Sequence, residues 1–248
     1  MEKRGSFIGT AGWGIPTRYK EDFASAGSHL ERYARRFSIV EINSSFYKPH
    51  RRETYERWAR SVPEHFRFAV KTPKAVTHEQ RLVGCEPLVD VFLQQVEGLG
   101  EKLSVVLVQL PPSLAFEPAI ARAFFTMLSK RTPARLACEP RHASWFDAEA
   151  DKLLAGCQVS RVAADPAPVP AAAVPGGWSG LAYFRWHGTP RVYYSDYDAE
   201  SLERIGRQVQ ATAASGAEVW GIFDNTAASH ALGNALTVDA MVAPASSS

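Results

Sequence analysis

The sequence predicts an α/β protein, a single (β/α)8 barrel of the TIM type. Three observations carry that expectation. Eight short apolar runs recur along the 248 residues. Most are apolar on both faces, as strands are in a parallel sheet covered by helices. Stretches with helical spacing separate them, as alternating β and α units require. A doubly wound open sheet would favour a Gly-x-Gly-x-x-Gly turn after the first strand, and residues 9–14 read GTAGWG instead.

The expected strands lie at 6–11 (SFIGTA), 38–43 (SIVEIN), 65–71 (HFRFAVK) and 104–110 (SVVLVQL), then at 135–139 (RLACE), 159–164 (VSRVAA), 181–186 (LAYFRW) and 218–223 (EVWGIF). After the first, Leu30, Tyr33, Ala34 and Phe37 repeat on one helical face; after the second, Tyr55, Trp58, Ala59 and Val62 do the same. Segments 86–98 and 119–130 supply two more helices. Residues 165–178, DPAPVPAAAVPGGW, carry four prolines, so the sixth helix is expected to be short or replaced by a Pro-rich loop. Asp198 can cap a helix that buries Leu202, Ile205 and Val209. Segment 226–242 supplies the last helix. Residues 1–242 thus read as one domain, and 243–248, small and polar, as a flexible tail.

Composition narrows the function classes. The net charge of +2 gives no global reason to expect nucleic acid or an anionic membrane. Cys85, Cys138 and Cys157 are odd in number and lack C-x-x-C spacing, which fits neither a disulfide framework nor a zinc ribbon. No apolar run approaches the ~18 residues of a membrane span, and no apolar core follows the basic residues at the start. A cytoplasmic protein is the expectation. The sequence sets no oligomeric state.

In such a barrel the active site forms at the C-terminal ends of the strands. Sequence order then becomes a spatial expectation. Trp13 follows the first strand. Glu41, Asn43 and Tyr47 end the second. Lys71 ends the third, with His78 in its loop, and Gln109 ends the fourth. Glu139 and Arg141 end the fifth, and Trp145 follows. Arg185 and His187 end the seventh; Asp224 and Asn225 end the eighth. The opposite ends open with Ser6, Ser38, His65, Ser104, Arg135 and Glu218. This asymmetry is the main sequence evidence for a site. Structural readings stand beside it: Glu41 pairing with Lys71 on the neighbouring strand, Glu139 pairing with Arg141, Gln109 satisfying loop backbone, and His187 donating to a carbonyl in its glycine turn.

The residues also carry a resemblance. GTAGW (9–13), EINSSFYKP (41–49), FRFAVK (66–71), THEQRL (77–82), QLPP (109–112), EPRHASW (139–145) and FRWHG (184–188) occur in this order. The chain resembles the DUF72 family, also called YecE-like or UPF0759-type proteins, from about residue 7 to about residue 228. The resemblance implies a TIM barrel without an established reaction, loosely grouped with sugar isomerase-like proteins. One departure is visible: the family's last motif commonly reads F-N-N, and here it is Phe223-Asp224-Asn225.

The expected function is an enzyme acting on a small polar molecule, sugar-like or phosphorylated. Glu41 and Glu139 would form an acid/base pair, Lys71, Arg141 and Arg185 would hold an anionic group, and His187 would shuttle protons. Lys71 is also weighed as an imine-forming amine; that needs a dry pocket with a depressed pKa, and nearby carboxylates would instead keep it charged. Trp13, Tyr47 and Trp145 offer flat faces for a sugar ring. The cofactor is undetermined: Glu41, Glu139, Asp224 and His187 suit Mg2+, Mn2+ or Zn2+, but no local ligand spacing signals a metal. The rival reading is a phosphate- or nucleic-acid-binding protein using the basic loop Lys48-Pro49-His50-Arg51-Arg52, where Glu53 and Glu56 can neutralise the charge.

Overall fold

The computed structural model describes residues 5–243. Beyond Ala243, the expected tail lies outside the described residues. The elements follow in the order β1 (Ser6–Thr10), α1 (His29–Ala34), β2 (Ile39–Ile42), α2 (Arg52–Arg60), β3 (Arg67–Lys71) and α3 (Glu86–Val96). Next come β4 (Leu103–Gln109), α4 (Pro118–Ser129), β5 (Arg135–Glu139), α5 (Ala148–Gly156), β6 (Val159–Arg161) and β7 (Ala163–Asp165). The chain continues through β8 (Gly176–Gly177), β9 (Leu181–Trp186), α6 (Ala199–Ala214), β10 (Glu218–Phe223) and α7 (Ala231–Val242).

All eight expected strands are present. The sixth is divided into β6 and β7, and β8 is an added two-residue strand. Parallel strands β1, β10, β9 and β7 form one sheet; β2 to β6 form a second, with β8 antiparallel at its edge. The sheets meet at two places. Only Val162 separates β6 from β7, and its N–H donates to the Cys138 carbonyl at 2.8 Å. On the other side, Ala11 bridges Glu41, and the Gly12 N–H donates to the Glu41 carbonyl at 2.8 Å. Inward side chains of both sheets, among them Ile39, Val105, Leu107, Tyr183, Trp220 and Ile222, share one buried cluster. A larger cluster packs the helices against the outer faces.

Local chemistry explains the helices. Ser28 and Glu31 form a reciprocal capping box on α1. The Asp198 carboxylate accepts from the Ser201 N–H and caps α6, which buries Leu202, Ile205 and Val209 as expected. The proline-rich segment forms only a short 3-10 turn at Pro170–Ala173. Helix α5 is absent from the sequence expectations. It is short, capped by Asp147 and held by Ala150, Leu153 and Leu154, too few apolar positions to mark a periodic stripe. The last helix starts at Ala231 rather than 226. No helix among the described residues is long and apolar enough to cross a membrane.

The junction of β1 and β2 is tight. A Cβ at Gly9 would stand 2.5 Å from the Ile39 carbonyl oxygen. Beside it, the buried Tyr33 hydroxyl accepts from the Thr10 N–H at 2.9 Å and donates to the Ile39 carbonyl at 3.1 Å. Tyr33 thereby ties the two sheets together from α1. Replacing it leaves a buried donor and acceptor unmet, each worth about 1–3 kcal/mol. Tyr33→Phe is therefore expected to lower the unfolding free energy by about 2 kcal/mol in urea melts. A change below about 0.5 kcal/mol, the range of an ordinary surface substitution, would mean that the junction does not depend on this hydroxyl.

Candidate functional site

The C-terminal strand ends converge on one guanidinium. On β9, Tyr183 and Arg185 alternate to the same face, and His187 continues that face beyond the strand. Arg185 is fully buried. Its Nε and Nη2 donate to the two carboxylate oxygens of Glu41 at 3.0 and 2.7 Å. Its Nη1 donates to Glu139 at 2.5 Å and its Nη2 also to Asp224 at 2.8 Å. The Tyr183 hydroxyl donates to Glu41 at 2.8 Å. Glu41 and Glu139 belong to one sheet, and Arg185 belongs to the other.

A second tier lies beside this one. Arg141 Nη2 donates to Glu139 Oε1 at 2.6 Å. His187 sits between two carboxylates, Nε2 at 2.8 Å from Glu139 Oε1 and Nδ1 at 3.1 Å from Asp224 Oδ2. Arg141 Nη2 is also 3.0 Å from His187 Nε2. That nitrogen can donate to Glu139 or accept from Arg141, not both at once. Asn43 Nδ2 donates to Asp224 Oδ1 at 3.3 Å.

The charges respond to this packing. Burial works against the Arg185 cation, but Glu139, Glu41 and Asp224 more than offset it and hold its pKa well above the usual value. Burial likewise opposes the Glu139 carboxylate, and Arg141, Arg185 and His187 reverse that, holding it well below the usual range. Asp224 is also lowered: burial is overcome by Arg185 and by the His187 hydrogen bond.

Lys71 differs from its neighbours. It ends β3 and is 7% exposed. Its Nζ lies 4.1 Å over the Phe46 ring. Among the described residues this Nζ makes no hydrogen bond or ion pair. The pairing of Glu41 with Lys71 weighed in the sequence is thus replaced by Glu41 with Arg185, whose fork reaches both oxygens. Burial, followed by the Arg185 charge, pushes the Lys71 pKa down to about 8 against the opposing pull of Glu139, Glu41 and Asp224. His78 stands edge-on to Phe46 at 5.0 Å, and Tyr47, 78% exposed, does so at 4.9 Å.

Other candidates stand apart from the charged network. Trp145 is 1% exposed, and its indole donates to the Leu114 carbonyl; it packs the core and offers no face to a sugar. Asn225 is buried and holds the Ser195 carbonyl and Asn234. Gln109, paired in register with Glu139, donates to the Leu110 carbonyl, the loop-backbone role weighed in the sequence. Trp13 is partly buried against Trp58. Arg185 has no exposed face with which to hold an anion directly. A cleft of about 420 Å3 beside β1 and β10 is lined by Gly12, His29, Thr226 and Ser229 rather than by the charged residues.

Three contributors are absent from the sequence candidates: Tyr183, Phe46 and Tyr193. Tyr193 has a φ of +69, costly for a bulky residue, and stands edge-on to His187 at 5.6 Å. Strand alternation with Arg185 marks Tyr183; the tyrosine pair at 193–194 after the seventh strand is the signal for Tyr193. Among the described residues, no group of three or more His, Cys, Asp or Glu side chains is arranged to hold a metal ion. The carboxylates are occupied by guanidinium and imidazole nitrogens.

Comparison with known proteins gives the family. The model described as "Protein of unknown function DUF72" matches residues 7–248, and the chain belongs to that family. It is 31% identical over 172 residues to the UPF0759 protein YecE of Escherichia coli K12, a match covering 67% of this chain and 61% of that protein. It is 29% identical over 148 residues to the UPF0759 protein YunF of Bacillus subtilis 168, covering 56% and 52% respectively. The matched regions thus span less than two thirds of either relative. Among solved structures, a DUF72 family protein from Thermotoga maritima superposes with a TM-score of 0.78 at 26% identity, covering 96% of this chain and 98% of that one. One from Enterococcus faecalis gives 0.78 at 21%, covering 95% and 94%, and supports the fold.

Two substitutions separate the roles of the cations. Arg185→Met removes the cation shared by three buried carboxylates and is expected to cost about 3–5 kcal/mol of stability. Lys71→Met has the opposite sign. The folded Lys71 pKa of about 8 lies below its unfolded value, so the unfolded state holds more protons from about pH 8 to 10.5. The burial penalty is full below about pH 8 and vanishes as pH rises through that window. Lys71→Met should therefore stabilise the protein by about 1–3 kcal/mol at pH 7, with the gain shrinking towards pH 10. Denaturant melts at both pH values check this; a destabilised Lys71→Met would make Lys71 a structural member of the network.

Proposed function

We propose that this DUF72 protein is an enzyme acting on a small polar molecule, sugar-like or phosphorylated, at the C-terminal ends of its strands. We further propose that its two sheets form a TIM-barrel-like enclosure behind that site. The passage of β6 into β7, the Ala11–Glu41 bridge and the shared inner cluster support the enclosure. A cytoplasmic location belongs to the same proposal, in keeping with three free cysteines.

One observation carries the reading: a buried lysine ammonium without an ion pair, beside a charge network whose other members are all engaged. Buried charges are ordinarily paired, and unpaired ones cluster at functional sites. Arg141 adds a partly exposed cation, and its buried Nε has no partner. Two cations at the same strand ends, Lys71 and Arg141, suit an anionic or oxygen-rich ligand. Tyr47 and Tyr193 add aromatic surface at the rim.

The division of labour differs from a Glu41/Glu139 acid/base pair. Both carboxylates are buried and bound to Arg185, and Glu139 stays ionised far below neutral pH. They orient Arg185 and His187. Proton transfer then falls to Lys71 and to Nε2 of His187, which donates to Glu139 when it carries a proton and accepts from Arg141 when it does not. Glycoside cleavage between Glu41 and Glu139 fits poorly, because the Arg185 guanidinium fills the space that the sugar would need.

The basic loop offers less to a polyanion. Arg52 is held by Glu56 and Glu97 at 3.2 Å each, and His50 is bound to Ser44 and packed on Trp58, leaving Lys48 and Arg51. A thermal-shift screen of sugars, sugar phosphates, nucleotides and short oligonucleotides at low and high salt tests both readings. The expected result is a rise of about 2 °C or more with one small-ligand class, retained in high salt and lost in Lys71→Met. A rise confined to oligonucleotides and abolished by salt would replace the enzyme reading with polyanion binding.

A further inference from the structure

We infer that Lys71 is a covalent nucleophile that condenses with an aldehyde or ketone carbonyl of the substrate to form an imine. This deepens the small-molecule reading above and rests on it. It assigns a reactive class, carbonyl compounds, to a site otherwise defined only by polarity.

Imine formation asks three things of a lysine: a fixed stem, a free amine tip and surroundings that disfavour the ammonium. The stem is fixed. The Lys71 carbonyl accepts from the Ser45 hydroxyl at 2.7 Å, and the next residue, Thr72, donates its N–H to the Leu107 carbonyl at 2.9 Å. The tip is free. One side of Nζ faces the Phe46 ring, and no protein oxygen holds it among the described residues.

On the third requirement, burial and the Arg185 charge outweigh the nearby carboxylates expected to keep the lysine charged, although most of it remains the ammonium at pH 7. Glu41, Glu139 and Asp224 do pull on Lys71, but each is already committed. Glu41 is shared by Tyr183 and Arg185, Glu139 by Arg185, Arg141 and His187, and Asp224 by Arg185, His187 and Asn43. Their pull on Lys71 is outweighed by burial and by the direct repulsion of Arg185. His78, edge-on to Phe46, is itself lowered by burial and by Lys71. With a pKa of about 8, roughly a tenth of Lys71 is free base at pH 7, whereas an ordinary lysine is below a thousandth.

The step balances. The neutral Nζ lone pair attacks the carbonyl carbon; a C–N bond forms and the π pair moves to oxygen. Two protons from Nζ then leave with that oxygen as water, the C–O bond breaks, and a C=N bond remains. Protonation of the imine restores a cation where the ammonium stood. Three carboxylates, Glu41, Glu139 and Asp224, then face three cations: Arg185, Arg141 and the iminium. The same cluster that tolerates the free amine therefore favours the charged adduct.

Reductive trapping tests this on the full chain. Formaldehyde, glycolaldehyde and dihydroxyacetone phosphate are each incubated with the protein and sodium cyanoborohydride at pH 7, and adducts are located by peptide mass spectrometry. Lys71 is expected to label at least about tenfold faster than Lys20, Lys48 or Lys74, following its larger free-base fraction. The Lys71 rate should level off above about pH 8 while the others keep rising. Lys71→Arg should lose the fast adduct with the slow ones unchanged. Labelling of Lys71 no faster than the surface lysines with all three probes would overturn the inference. Glycerol 3-phosphate, which lacks a carbonyl, separates the two readings. If it raises the melting temperature while Lys71 stays unreactive, the imine falls and the small-molecule site stands. If it does not bind and Lys71 labels fast, the imine stands and the phosphorylated ligand class falls.

Discussion

The Arg185 guanidinium is the constraint on which the rest of the site depends. It is buried, yet it binds carboxylates from β2, from β5 and from the residue after β10. Taking four charges out of water costs several kcal/mol per ion, and only close, multiple hydrogen bonds recover it. Here all three nitrogens are used, and Tyr183 satisfies Glu41 further. Glu41 and Glu139 lie in one sheet while Arg185 lies in the other. The network is therefore also a lock between the sheets, added to the β6–β7 passage, the Ala11–Glu41 bridge, the Tyr33 hydroxyl and the shared inner cluster. An apolar core could join the same sheets with less desolvation; a charged one fixes which strand ends face each other.

That commitment determines what is left for chemistry. Carboxylates bound to Arg185 are poor proton carriers and poor metal ligands, because each would have to give up a buried ion pair first. Lys71 is the member excluded from pairing, and it carries a burial penalty at neutral pH. Tyr193 adds a left-handed backbone next to His187. Both are local costs that a stability-driven sequence would shed, and both stand beside the same cluster.

Much of the fold was legible because parallel strands buried on both faces are written in short, local apolar runs. The proline-rich gap was legible for the same local reason. Helix α5 was not, since Ala150, Leu153 and Leu154 make too short a stripe. At the site, Glu139 with Arg141 was readable because two residues of spacing keep them on one side, and they pair at 2.6 Å. The partner of Glu41 was not readable: Arg185 is 144 residues away, and only the assembled sheets bring it near. Register pointed to Lys71 on the adjacent strand, but a bidentate guanidinium outcompetes a single ammonium. Trp145 and Asn225 were misplaced for a related reason. A strand-end position says which end of the sheet a residue reaches, not whether its side chain turns inward to pack.

The carboxylate at position 224 now acquires a physical meaning. Where the family resemblance implies F-N-N, this chain has Phe223-Asp224-Asn225. Asp224 supplies one oxygen to both Arg185 and His187, and its charge raises the Lys71 pKa. An amide there could still accept from Arg185, but it would leave two carboxylates facing Arg185 and Arg141. That cluster is balanced when Lys71 is neutral. With Asp224 the balance requires Lys71, or an iminium built on it, to be charged. The identity of residue 224 thus sets which protonation state of Lys71 the network prefers. In this chain it favours the cation, while burial and Arg185 keep the free amine within reach at neutral pH. A lysine poised between those two states can both form an imine and stabilise it, whereas tighter pairing would prevent the attack and a neutral surround would not hold the product.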